Sequence, residues 1–327
     1  MTRARSELLD ASKLGTYHLI TRCVRRERLL DRGERKQWLC RGLAGWFGHM
    51  AIDLLGYSVM GNHLHLIVRV RPDIAAQWDA VSVARHALAV LPLRSGPAME
   101  PLTVTPALVD RYAGNASWVT QQRKRLSSPS WLLRLVKQEI ARRANGEDGC
   151  TGHFWENRFT SVALLDQAAV LACLVYVDLN PLRAGMVRDP MVSEFTSIHH
   201  RHYRTMGAGR YDGSSQDADL GRHLVAMPHC APADSWSGDP VRWSLGEAEY
   251  VGLVRETGRA CAGNGRQAVA NALASVRAWG LEPDAWLATM ARGGSMSGSV
   301  IGGPEARSRW CAHAGQRWAA DKSGLWR

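Results

Sequence analysis

A chain of 327 residues can bury a sizeable core, as one large domain or two smaller ones. Its 46% hydrophobic and 22% charged residues are those of an ordinary globular protein, which excludes wholesale disorder. Forty-one Lys and Arg against 30 Asp and Glu leave a formal charge of +11, a surplus that favours polyanionic partners, nucleic acid foremost. Seven cysteines without a CxxC pair argue against a disulfide framework or a zinc ribbon. Met1 to Lys13 is charged rather than apolar, which is unlike a secretory signal, and no run reaches the ~18 apolar residues of a membrane span. The expected location is cytoplasmic.

In chain order, Tyr17, Leu19, Thr21 and Cys23 alternate as in a strand, and Arg22, Arg25, Arg26 and Arg28 give that strand a basic edge. Gly33 to Met50 spaces Leu39, Leu43, Trp46, Phe47 and Met50 along one helical face. Ile52 to Met60 and His63 to Val70 are β-rich runs joined by Gly61-Asn62, a tight hairpin. From about residue 71 to 130 the pattern degrades into an insertion or loosely packed helical excursion. Its basic cluster, Gln121 to Arg125, is expected as a solvated loop.

Trp131 to Ala144 reads as a helix, Phe159 to Leu164 as a short strand, and Asp166 as the N-cap of a helix that stops at Pro181. A stretch rich in Gly, Ser and Asp follows Tyr203, and helical segments are expected at 244–257, 266–279, 283–291 and 304–319. The organisation predicted is an α+β domain over residues 1–205, a linker over 206–243 and a small helical, basic C-terminal region over 244–327.

Residues two apart in a strand share a face, so His63 and His65 project together, opposite Leu64, Leu66, Val68 and Val70. With helices on the apolar side, both imidazoles are left on the open side, a geometry that suits two nitrogen ligands of one divalent metal. Two alternating histidines are also often incidental. Downstream, Val170, Leu174 and Val177 make an apolar stripe with Tyr176 and Asn180 stacked on its flank. Such a tyrosine is commonly an anchor, and an Asn before Pro a helix stop. Together the elements gain meaning, because a phenolic oxygen can attack a phosphodiester while a His-held cation takes up charge on the phosphate.

The block from Tyr57 to His65, with Tyr176-Val177-Asp178-Leu179-Asn180-Pro181-Leu182-Arg183-Ala184-Gly185 downstream and Phe154 to Phe159 before it, resembles the REP-associated tyrosine transposases of the single-tyrosine HUH family. The resemblance covers roughly residues 14 to 200. It implies a ferredoxin-like antiparallel sheet with helices on one face, Tyr176 as nucleophile, His63 and His65 as metal ligands, and Asn180 placed to add a further ligand. Mg²⁺ or Mn²⁺ is the expected ion, since amide and phosphate oxygens suit hard cations. Arg22, Arg25, Arg158 and Arg183 are candidate DNA contacts, and the C-terminal arginines could add more.

The function so implied is metal-dependent cleavage and rejoining of single-stranded or hairpin DNA through a 5′-phosphotyrosine. A homodimer is the economical arrangement, because exchanging two ends needs two sites. The alternatives are a domesticated, non-catalytic hairpin-DNA-binding protein of the same fold and a His-metal hydrolase. Several residues carry only ordinary expectations: His199, His200 and His202 as a solvated cluster, Trp155 as core or stacking platform, and no assigned role for Asp53, Asp178 or His153.

Overall fold

The computed structural model describes residues 12–91, 94–95, 100–101, 103–207, 218–230, 245–263, 266–292, 296, 298–317, 319 and 323–326. Its frame is a five-stranded sheet of β1 (Gly15–Arg22), β2 (Ile52–Val59), β3 (His63–Val70), β4 (Thr160–Leu164) and β5 (Val300–Ile301), in the order β2-β3-β1-β4-β5. All neighbours run antiparallel except β4 and β5, which are parallel. The expected hairpin is present: Val59 pairs with Leu64, and the Met60 amide donates to the His63 carbonyl at 2.9 Å, which leaves Gly61-Asn62 as a two-residue turn.

Alternation divides the sheet into two faces. Tyr17, Leu19, Leu64, Leu66, Val68 and Val70 meet Leu39, Leu43 and Phe47 of α1 (Arg35–Phe47). Leu132, Val136 and Ile140 of α6 (Pro129–Glu147) close the same core. Burial of each such aliphatic side chain is worth roughly 1.5–3 kcal/mol, so this face holds the two long helices firmly.

The other face carries His18, Ile20, Arg22, His63, His65, Ile67 and Arg69, and it is covered as well. Here α7 (Gln167–Asp178) lies across the strands with every residue from Ala169 to Asp178 buried. A helix apolar on all sides cannot rest on a sheet alone. Its outer side is roofed by Tyr250 and Val254 of α9 (Glu247–Cys261) and by Trp286 and Met290 of α10 (Pro283–Ala291). The expectation of helices on one face, with the histidines open to solvent, is therefore corrected. What the strand pattern missed was the amount of apolar surface on α7, which needs cover on two sides.

Within the insertion the chain is helical: α2 (Pro72–Gln77), α3 (Ala80–Val90), α4 (Pro106–Ala113) and α5 (Ala116–Leu126). Gln121 to Arg125 thus sits on α5 and not in a loop. Gln122 is buried, and the Arg123 guanidinium caps the end of α2 by donating to the carbonyls of Ala75 and Trp78. The histidine cluster is corrected too, since His199 and His200 are buried on α8 (Ser197–Thr205), with His199 Nδ1 against the Met191 carbonyl at 3.1 Å. Of the stretch expected as a linker, residues 208–217 and 231–243 lie outside the described residues. Residues 218–230 pack on the sheet edge, where the Val225 amide donates to Leu54 O at 2.9 Å. Among the described residues no helix is long and apolar enough to cross a membrane.

Candidate active site

The site forms where β1 ends, β3 begins and α7 crosses. Its first fixed point is the Gly61-Asn62 turn. A Cβ on Gly61 would fall 2.3 Å from Asp31 Oδ2, so only glycine lets the turn lie against that carboxylate. Asp31 is in turn held by Arg28 Nε at 2.6 Å and Lys36 Nζ at 2.7 Å.

Asn62 then links two parts of the site. Its Nδ2 donates to the Arg26 carbonyl at 2.9 Å, and this orients its Oδ1 towards His63 Nδ1 at 2.6 Å. An amide oxygen only accepts, so His63 carries its proton on Nδ1 and its Nε2 is bare. Arg25 and Arg26 occupy the left-handed region, with φ of 54° and 58°, in the turn that Asn62 braces. Positive φ at two consecutive non-glycine residues costs energy that neighbouring bonds must offset. The result is an Arg25 side chain presented to solvent, 83% exposed.

His65 stands two residues along β3, its ring centroid 4.7 Å from that of His63 in an edge-on arrangement. Its Nδ1 is 2.8 Å from Nε2 of His18, a β1 residue on the same face. Burial, reinforced by the neighbouring Arg22 and Arg183 cations, pushes the His63 pKa down to about 4. Burial likewise lowers His18 to about 3 and takes His65 well below its ordinary value. All three rings are neutral at pH 7, the state a metal ligand requires.

Tyr176 approaches from α7, its ring 6.5 Å from that of His65 and perpendicular to it. The approach depends on Gly56 of β2, where a Cβ would meet Leu174 Cδ2 at 2.7 Å and lift the helix. Over the Tyr176 ring lies the Arg183 guanidinium, its central carbon 3.9 Å from the ring centroid. Arg183 also donates to the Tyr176 carbonyl at 2.8 Å, to Asn180 Oδ1 at 2.7 Å and to Met290 O at 3.3 Å. Asn180 is buried one turn after Tyr176, with its Nδ2 lacking a partner.

His63, His65 and Tyr176 are thus brought together, while Asn180 is seen bonded to Arg183. Arg22 lies beside His63 in register, and Arg25 and Arg158 are exposed. Arg183 is turned inward, so of the four arginines it is the one committed to the protein. Among the described residues no three His, Cys, Asp or Glu side chains stand in a metal-holding group. The two imidazoles are a partial ligand set: His63 offers a bare Nε2, whereas Asn180 Oδ1 accepts from Arg183 and would join a cation only by giving up that bond.

No protein-family model matches the chain, and the search of curated proteins returns no match. Among solved structures the chain is similar to a REP-associated tyrosine transposase bound to a REP hairpin. The identity is 15% and the TM-score 0.38, with 66% of this chain and 93% of that one covered. An overlap so loose transfers no residue's role.

Two candidates with no assigned role turn out to be structural. Asp53 accepts from Arg69 Nε at 2.7 Å and is approached by Arg71. Asp178, fully buried, accepts from Ser197 Oγ at 2.5 Å, the Ile198 amide at 3.0 Å and the Tyr250 hydroxyl at 2.5 Å. Trp155 is core. His18 was missed by the sequence reading. Its signal was available, because placing β1 beside β3 puts His18 on the histidine face, out of phase with Tyr17 and Leu19.

Proposed function

We propose that the protein is a DNA strand transferase that cuts and rejoins single-stranded or hairpin DNA through Tyr176. The observation that carries this reading is the crossing of Tyr176 with the His63–His65 pair, under an arginine stacked on the tyrosine ring. The strand order β2-β3-β1-β4, with α1 and α6 on one face, supports a ferredoxin-like core in which the tyrosine helix takes the second face.

In the proposed reaction the Tyr176 oxygen attacks a backbone phosphorus and gives up its proton to solvent. The bond to the 3′ oxygen breaks, that oxygen takes up a proton, and the 5′ phosphate stays on the tyrosine. A 3′ hydroxyl of another end then attacks the same phosphorus and releases Tyr176, so the bond energy is kept for rejoining. Arg183 places positive charge on the ring as the phenolic oxygen gains negative charge. His63 and His65 would hold Mg²⁺ or Mn²⁺, with Asn180 as a further oxygen donor once its Oδ1 exchanges Arg183 for the ion, and the ion would supply Lewis-acid stabilisation of the phosphate. Arg22, Arg25 and Arg158 are the side chains we assign to phosphate contacts. Two sites are needed to exchange two ends, which favours a homodimer in the cytoplasm.

The test is an end-labelled hairpin with a single-stranded flank, incubated with Mg²⁺ or Mn²⁺ and with EDTA. The expected result is a covalent protein–DNA adduct that needs metal and is absent in Tyr176→Phe. Cleavage without an adduct would favour a hydrolase. Hairpin binding without cleavage across a broad substrate panel would favour the non-catalytic DNA-binding reading.

A further inference from the structure

His18 occupies a position that packing alone would fill with an aliphatic side chain. On β1 it stands in register with Ile67 of β3 and Val162 of β4, fully buried. The imidazole found there has its Nε2 2.8 Å from His65 Nδ1 and its own Nδ1 buried without a partner. A buried ring nitrogen left unpaired is a cost, so something other than packing retains the residue.

Two neutral imidazoles joined from Nε2 to Nδ1 share one proton on that line, and their tautomers are locked together. If His65 donates from Nδ1, its Nε2 is bare. If His18 donates from Nε2, His65 must carry its proton on Nε2 and can no longer bind a cation there. The charged side chains near His65 are Arg22 and Arg183, and cations favour a bare nitrogen over an N–H.

We propose that His18 is the positioning residue of His65, accepting its Nδ1–H so that the ring is held in place with a bare Nε2. This rests on reading His63 and His65 as a metal-ligand pair. It gives the two rings matching supports: Asn62 fixes His63 from one side and His18 fixes His65 from the other. Partners that accept the remote N–H of a ligating histidine set both its tautomer and its orientation.

The experiment uses the full chain with ¹⁵N-labelled histidine, as wild type, His18→Leu and His18→Gln. The leucine fits the apolar surroundings, and the glutamine returns an oxygen acceptor near the place of Nε2. Long-range ¹H–¹⁵N spectra of the metal-free protein are expected to show His65 protonated on Nδ1 in wild type and His18→Gln. In His18→Leu that preference is lost. Mn²⁺ titration followed by electron paramagnetic resonance is expected to show affinity falling about 10- to 100-fold in His18→Leu and recovering in His18→Gln.

His65 protonated on Nε2 in wild type overturns the proposal. So does a His18→Leu protein, shown folded by its thermal transition, that keeps both the wild-type tautomer and the wild-type Mn²⁺ affinity. If wild type binds no Mn²⁺, the metal reading alone fails, and the tautomer spectra still decide the role of His18.

Discussion

The guanidinium of Arg183 lies 3.9 Å over the ring of Tyr176 and, from the same position, reaches that residue's own carbonyl and the side chain of Asn180. One cation therefore fixes the tyrosine ring, the end of its helix and the next polar side chain. Lysine has neither the plane nor the fork to do this. Arg183→Lys is expected to lose about 1–2 kcal/mol in urea unfolding and to cut adduct formation at least about tenfold. Unchanged single-turnover rates would remove Arg183 from the site.

Gly61→Ala tests the anchoring of His63. The added methyl collides with Asp31, itself bound by Arg28 and Lys36, so the turn must move and carry Asn62 with it. The expected cost is about 1–3 kcal/mol, with a metal affinity reduced beyond what the stability loss explains. Melting curves with and without Mn²⁺ measure both quantities.

The pH dependence follows from two opposing sets of groups. His63 and His18 are held near 4 and 3 against an ordinary 6.5. Between those values the unfolded chain binds protons that the folded chain refuses. Their contribution is therefore complete above pH 6.5 and is lost as the pH falls towards 4 and 3. Asp178 acts the other way: burial raises it to about 6 from 3.8, so its contribution declines as the pH rises across that interval. The histidines dominate between pH 6.5 and 5, where the urea midpoint of wild type is expected to fall. His63→Ala should flatten that fall by an amount on the order of 3 kcal/mol or less. A wild-type midpoint that rises on acidification contradicts the buried, neutral state of these rings.

Tyr250→Phe probes the roof over α7. It removes the 2.5 Å bond to Asp178 Oδ2 and leaves a buried carboxylate with one donor fewer. The loss is greatest when Asp178 is ionised, about 1.5–3 kcal/mol at pH 8, and smaller at pH 5, where the carboxyl is protonated. An equal loss at both values would mean that Asp178 does not titrate in this interval.

The sequence made some of this plain and hid the rest for identifiable reasons. Alternation in His63 to Val70, the Gly61-Asn62 turn and the Asp166 cap are local signals, and each is realised, with Asp166 Oδ1 accepting from the Ala169 amide at 2.8 Å. The partners of those elements are not local. His18 and His65 are 47 positions apart and meet only once β1 pairs with β3. The roof on α7 comes from residues more than 70 positions beyond it. Arg183 carries the same charge whether it faces DNA or Tyr176, so composition could not tell the inward arginine from the exposed Arg25 and Arg158. In the histidine cluster on α8, polarity suggested solvent, yet His199 and His200 are packed.

Asp166 joins two distant stretches of chain at the start of the tyrosine helix. One oxygen caps α7, and the other accepts the Gly303 amide at 2.6 Å, just past the point where β5 zips parallel onto β4. A strand far along the chain therefore shares one carboxylate with the start of the tyrosine helix. During folding the start of α7 has its own cap but lacks this second bond until β5 docks, a contact across 137 positions that closes a long loop and so forms late.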